Sequence, residues 1–258
     1  METIRVETQG RLTKIILDRP DKRNALNAQM ISELTQEFQR LSKSAASKVI
    51  MISGEGSAFC AGADLESLQQ LQEADHDQNL QDSQNLAALF KAMYDYPGVL
   101  FAAVNGHALA GGCGLVSLCD IVIAHEKAQF GYTETRIGFV PAIVTRYLLD
   151  KINLSHAQRL LLSAQIIDAH EAKCIGLVHE VTSEGDYQNR VNWWLDHLMH
   201  ELSMEALLST KKLIRLTQTV DRDTAHQYAI RLNAAARMSS DCRAGIQAFL
   251  NKEKLRWN

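Results

Sequence analysis

No run of apolar residues in the 258-residue chain is long enough to cross a membrane, and the opening METIRVETQG lacks the apolar stretch of a signal peptide. Neither sign of charge dominates: 27 Lys and Arg stand against 30 Asp and Glu, a formal net charge of -3. That balance gives no reason to expect nucleic acid or a membrane as partner. Cysteine is sparse. Cys60, Cys113, Cys119, Cys174 and Cys242 are odd in number and scattered among apolar neighbours, a pattern that suits reduced core thiols and argues against a disulfide framework. No two of them have CxxC spacing, so no metal site is expected. Neither the GxxxxGK pattern of a P-loop nor GxGxxG occurs, which removes support for nucleotide phosphate binding of those kinds. These absences predict a soluble, cytoplasmic protein.

What is present is an ordinary core-forming composition, 46% hydrophobic and 22% charged, arranged in two regimes. Up to about Gly138, β-branched runs alternate with helical patterns. Residues 12–17 (LTKIIL), 48–52 (KVIMI), 99–104 (VLFAAV) and 120–124 (DIVIA) read as strands. Between the first two, Met30, Ile31, Leu34, Phe38 and Leu41 share one helical face, with Asn27 as N-cap. Strands separated by helices predict an α/β domain with mainly parallel connections. From Ala142 the strand signal fades and helical stretches dominate, so residues 1–195 are expected to form the core and 196–258 a helical region. The polar, acidic segment 72–83 (QEADHDQNLQDS) reads as a mobile surface stretch placed where a lid could lie.

Two turns stand out. The chain has only fourteen glycines, yet Gly111, Gly112 and Gly114 fall within four positions of HALAGGCGL. An earlier turn, GEGSAFCAGADL, ends in Ala61, Gly62 and Ala63 and runs into Asp64 and Leu65. Both follow strand-like runs and lead toward helices. Free N–H groups at such a junction suit an anion or a developing oxyanion, and small side chains let a ligand atom approach them. Tight helix–strand packing is the other use of the same glycines.

AFCAGADL, VNGHALAGGCGL, CDIVIA and FGYTETRIGFVP occur in that order, flanked by LDRPDKRNALN near the start and AHEAKCIGLV and AFLNKEKLRW toward the end. Together they resemble the enoyl-CoA hydratase/isomerase (crotonase) family over nearly the whole chain. The resemblance implies a core of repeated ββα units and a helical C-terminal region that takes part in trimerisation, giving a homotrimer or a dimer of trimers. It implies an acyl-CoA thioester substrate, with coenzyme A as part of that substrate and no separate cofactor. The family's two oxyanion amides transfer to Ala63 and Gly111. Donors aimed at a thioester oxygen stabilise the charge it gains in the transition state.

The acid–base positions depart from the hydratase pattern. One of the family's two glutamates transfers to Glu134, in the low-charge stretch AQFGYTETRIGFV, where desolvation suits a general base; a surface pair with Arg136 is the alternative. The other position is Gly114. Ala61, Gly62, Asp64, Leu65, Gly112, Gly114 and Tyr132 are expected around the substrate, as are Lys22, Ala25 and Leu26, which border the CoA channel. Ala142, after Pro141, offers an amide that could hold a water. Lys211, Lys212, Lys252 and Lys254 are candidates for CoA phosphates, beside Arg19 and Arg23. Asp120 reads as a structural acceptor, and Cys60 and Cys113 as buried small hydrophobes. The overall pattern points first to a hydratase adding water to a 2-enoyl-CoA with Glu134 as acid/base. The alternatives are a Δ3,Δ2-enoyl-CoA isomerase with Glu134 as its single shuttle and a non-catalytic acyl-CoA- or RNA-binding protein.

Overall fold

The computed structural model describes residues 1–44 and 47–257. Strands β1 (Ile4–Gln9) and β2 (Leu12–Leu17) form an antiparallel hairpin, and Gly10 takes the positive φ its turn needs. Helix α1 (Ala28–Ser44) follows, buries the five apolar residues of its expected face, and is capped by Asn27, whose Oδ1 accepts from the Met30 N–H at 2.9 Å.

From there a unit repeats: a long strand, a short strand, then helix. The first is β3 (Val49–Gly54), β4 (Ala58–Cys60), then α2 (Leu65–Glu73) and α3 (His76–Asp95). The second is β5 (Val99–Val104), β6 (His107–Leu109) and α4 (Gly111–Leu118). The third is β7 (Ile121–His125), β8 (Gln129–Gly131), a short 3-10 turn at Glu134–Ile137 and α5 (Ala142–Lys151). Helix α6 (Leu154–Ser163), β9 (Ile167–Asp168), α7 (Ala169–Cys174), β10 (Glu180–Thr182) and α8 (Tyr187–Asp196) complete the core. The long strands and β10 make a six-stranded sheet, ordered β1-β2-β3-β5-β7-β10 and parallel from β2 onward; β4, β6, β8 and β9 make a second sheet.

The strand read at 12–17 and that at 99–104 match the structure, whereas those read at 48–52 and 120–124 begin one residue further on, the first also ending two later. The second sheet went unread because its strands are two or three residues long, below the length at which alternation is visible. Residues 72–83 are helical for most of their length. Glu73 ends α2, and α3 begins at His76 with an Asp75–Gln78 capping box at its N-terminus.

Helices α9 (Met204–Thr217), α10 (Arg222–Ala236) and α11 (Ser240–Leu250) follow a π-turn at His197–Glu201. Two buried lysines tie this region to the sheet. Lys48 donates to the carbonyls of Met199 and Leu202, and Lys211 donates to the Gly98 carbonyl and pairs with Asp120, both at 2.6 Å. Burial pushes both ammonium groups down to about 8. Lys211 is therefore a structural tie and unavailable to a CoA phosphate, while Asp120, which also accepts from the Leu100 N–H, is the acceptor expected.

Candidate active site

The register of the second sheet brings the two small-residue turns together. Strands β4 and β6 run parallel with Cys60 opposite Ala108, so Ala63 and Gly111 each stand three residues beyond a paired position. A Cβ on Gly62 would lie 2.9 Å from the Ala110 Cβ, so the turns touch. Leu26 forms a lone parallel bridge with Ala63, donating to the Gly62 carbonyl at 2.7 Å and accepting from the Asp64 N–H at 2.9 Å. In such a bridge the central residue of the second segment turns its own N–H away from its partner. Ala63 is exposed, and its N–H has no backbone acceptor among the described residues.

Gly111 is the first residue of α4, where a helix has no internal acceptor for its N–H. Ala110 before it has φ 48° and ψ -123°, a conformation alanine rarely adopts, held by a 2.7 Å bond from its N–H to the Gly131 carbonyl. The three glycines serve different ends. A Cβ on Gly112 would meet the Cys60 carbonyl oxygen at 2.3 Å, and one on Gly114 would meet Val144 Cγ1 at 2.6 Å and Phe90 Cζ at 2.8 Å. One on Gly111 would meet only the end of the Leu26 side chain, at 3.2 Å. Gly112 and Gly114 are thus packing glycines. Gly114 is buried under Phe90 and Val144, which corrects its placement at the substrate.

Glu134 opens the 3-10 turn. Its Oε2 is buried and, among the described residues, has no hydrogen-bond partner. Burial raises its carboxyl above the ordinary glutamate range, opposed only by its own N–H. Arg136 donates instead to the Ala164 carbonyl, so the expected alternative of a Glu134–Arg136 surface pair does not form.

Other expected neighbours turn out differently. Tyr132 is fully buried with its hydroxyl 2.6 Å from Ser117 Oγ, a core residue behind the site; the pocket-lining expectation is corrected. The Ala142 N–H donates to the Val140 carbonyl at 2.7 Å and is not free for a water. Asp64 caps α2 through the Glu66 N–H and pairs with Arg19 at 2.9 Å, so both side chains brace the first turn and neither is open to substrate. Although burial opposes it, that pairing holds the Asp64 carboxyl below the usual range. Ala61 donates its N–H to the Arg23 carbonyl, and Ala25 and Leu26 are buried beneath the turn. Lys22 pairs with Glu66 at 2.7 Å beside the exposed Leu65. Cys60 and Cys113 are buried thiols pushed up to about 12, inert as read.

A cavity of about 350 Å³ is lined by Asp95, Pro97, Leu208, Lys212, Arg215 and Lys211, which bonds Gly98 just before β5. The paired turns lie beyond the ends of β4 and β6, so this cavity is separate from the site just described. Sequence reasoning missed Phe90 and the bracing role of Arg19, since neither carries a motif.

Comparison with known proteins places the chain in a family. A family model described as enoyl-CoA hydratase/isomerase matches residues 7–258. The 2,3-dehydroadipyl-CoA hydratase of Escherichia coli is 33% identical over 253 residues, covering 98% of this chain and 97% of its own. Crystal structures of enoyl-CoA hydratases from Bacillus anthracis (28% identity, TM-score 0.90, 98% of each chain) and Shewanella pealeana (28%, TM-score 0.90, 99% of this chain and 96% of that one) share the fold. The chain belongs to the enoyl-CoA hydratase/isomerase family.

Proposed function

We propose that the protein is an enoyl-CoA hydratase in which the Ala63 and Gly111 amides hold the thioester oxygen and Glu134 is the acid–base group. The observation that carries this reading is the unpartnered, buried Oε2 of Glu134 in the segment that follows the paired turns. A buried carboxylate oxygen without a donor is unfavourable unless a ligand or water completes it. Glu134 takes a proton from water as the oxygen adds to C3 of a 2-enoyl-CoA. Negative charge passes through C2 to the thioester oxygen, where the two amides meet it. The same carboxyl then returns a proton to C2. Every atom of the water ends in the 3-hydroxyacyl product or exchanges with solvent.

A second reading is favoured by one feature. Phe90 and Val144 fill the space beside Gly114, so no second carboxylate can be built there without moving them. One carboxylate is enough for an isomerase that removes a proton from C2 of a 3-enoyl-CoA and replaces it at C4. Turnover in heavy-oxygen water separates the two. Hydration places solvent oxygen at C3, whereas isomerisation shifts the double bond with no oxygen gain.

The assembly we propose is a homotrimer or a dimer of trimers. Leu207, Leu208, Leu213 and Leu216 on α9 are half-buried within their own chain. The support comes instead from Ile246, Phe249 and Leu250 on α11, which lie exposed. Sedimentation at micromolar concentration is expected to give a multiple of three chains; a monomer would refute the assembly.

A further inference from the structure

Helix α3 leads through three residues into β5, and α4 leads through two into β7. Strands β5 and β7 are parallel neighbours, so the two helices run in the same sense, their N-terminal ends toward the edge that carries the paired turns. Phe90 of α3 meets Gly114 of α4, which fixes their relative height. Gly111 lies one turn above Gly114, about 4.5 Å, and Asp82 lies eight residues above Phe90, about 12 Å. Asp82 therefore stands above the level of the Gly111 amide.

The inward stripe of α3 consists of Asn79, Asp82, Leu86, Leu89, Phe90 and Met93, all buried or half-buried. It is apolar beside Gly114 and polar near the site edge. Asn79 is engaged, donating to the Ala74 carbonyl. One turn either side of Asp82, Gln78 Oε1 accepts from the Asp75 N–H and Asn85 Oδ1 accepts from Gln81; among the described residues, neither side chain donates to Asp82. No Lys or Arg stands three or four residues from Asp82. Burial alone acts on its carboxyl, raising it above the ordinary aspartate range. Asp82 is a half-buried acceptor on the core-facing stripe, without a protein donor among the described residues.

Phe90 and Val144 close the space below Gly111, so an acyl chain held at that amide cannot continue down between α4 and α5. We propose that the chain runs along the N-terminal half of α3, and that Asp82 accepts a hydrogen bond from a hydroxyl group toward its end. The substrate class is then a medium-length enoyl-CoA with a polar, hydroxyl-bearing tail. This rests on the acyl-CoA reading above, and Asp82 is an acyl-binding residue, separate from the acid–base step.

Binding of saturated, unreactive thioesters tests it independently of turnover. In calorimetry, 6-hydroxyhexanoyl-CoA is expected to bind the full-length protein about tenfold more tightly than hexanoyl-CoA, the low end for a hydrogen bond to a charged group. Asp82→Leu should cut that difference below twofold, and Asp82→Asn should leave an intermediate value with unchanged circular dichroism. Equal affinities for the two thioesters in the unsubstituted protein, or an undiminished difference in Asp82→Leu, would overturn the assignment. So would tighter binding of adipyl-CoA, whose terminal carboxylate would face that of Asp82. Failure of the Glu134 reading shows elsewhere, as turnover surviving in Glu134→Gln.

Discussion

The turns at residues 60–64 and 108–114 occupy equivalent places beyond two paired strands, yet they are built differently. In the first, side chains do the shaping. Asp64 caps α2, Arg19 pairs with Asp64, Gly62 takes φ 97°, and the Leu26 bridge leaves the Ala63 amide turned away from Leu26. In the second there is no side-chain cap. A strained Ala110 starts an almost entirely buried helix at once, and Gly112 lets that helix lie against the Cys60 carbonyl. The charged brace of the first turn is itself largely buried, and the Asp64 carboxylate is sustained there because the Arg19 guanidinium and the Glu66 N–H both meet it. The second turn is shaped by backbone strain and close packing instead, which leave no charge to be desolvated.

The largest expected effect tests what both turns serve. Glu134→Gln keeps shape and removes the base, so turnover should fall at least ~100-fold while acyl-CoA binding persists. The same variant should be more stable at neutral pH. For an acid whose folded pKa is raised, ionisation disfavours the folded state above that pKa, and the penalty vanishes below the unfolded value. Activity should correspondingly fall away on the acid side at a pH above the ordinary glutamate range. Full activity in Glu134→Gln would refute the single-base chemistry however the turns are built.

The difference between the glycines gives the next test. Gly112→Ala places a methyl group 2.3 Å from a backbone oxygen that cannot swing aside. A loss of about 3 kcal/mol in denaturant unfolding is expected, with reduced activity from a displaced α4. Gly111→Ala meets only the end of the Leu26 side chain and should lose under ~1 kcal/mol. Equal losses at the two positions would break the distinction between a packing glycine and a site glycine.

The legibility of this molecule divides along the same line. The long strands β2 and β5 and helix α1 were readable because burial imprints a period on residues such as Met30, Leu34 and Phe38. Both turns were readable as small-residue clusters, and Ala63, Gly111 and Glu134 came from resemblance at matching positions. The composition of the second turn did not reveal which glycine packs and which stays open. That depends on Cys60, Phe90 and Val144, from three separate elements. Nor did it reveal that the Ala142 N–H and Lys211 are engaged, since their acceptors are carbonyls that leave no mark in sequence.

The first turn should respond to pH where the second does not. Asp64→Ala removes the cap of α2 and the partner of Arg19, for an expected loss of about 2 kcal/mol at neutral pH. The pairing holds the Asp64 carboxyl low, so its contribution is complete above the unfolded aspartate value and disappears as pH falls through the folded one. Unfolding curves of the two proteins should therefore converge in acid. A constant gap down to the acid transition would mean that Asp64 acts through packing alone.

The smallest effect concerns Ala110, and it is expected to be a gain. At φ 48° and ψ -123° an L side chain is strained, and glycine takes such conformations readily. Ala110→Gly relieves that strain but enlarges the entropy of the unfolded chain, so the net gain should be near 1 kcal/mol or less. Its value lies in what accompanies it. If strain at Ala110 serves to aim the Gly111 amide, relief that leaves the dihedral angles free should weaken transition-state stabilisation, lowering kcat severalfold with KM little changed. If the bond from the Ala110 N–H to the Gly131 carbonyl suffices to hold the turn, stability rises and kcat does not move. The second result would make packing at Gly112 and that one backbone bond the whole substitute for the polar brace that Asp64 and Arg19 supply to the first turn.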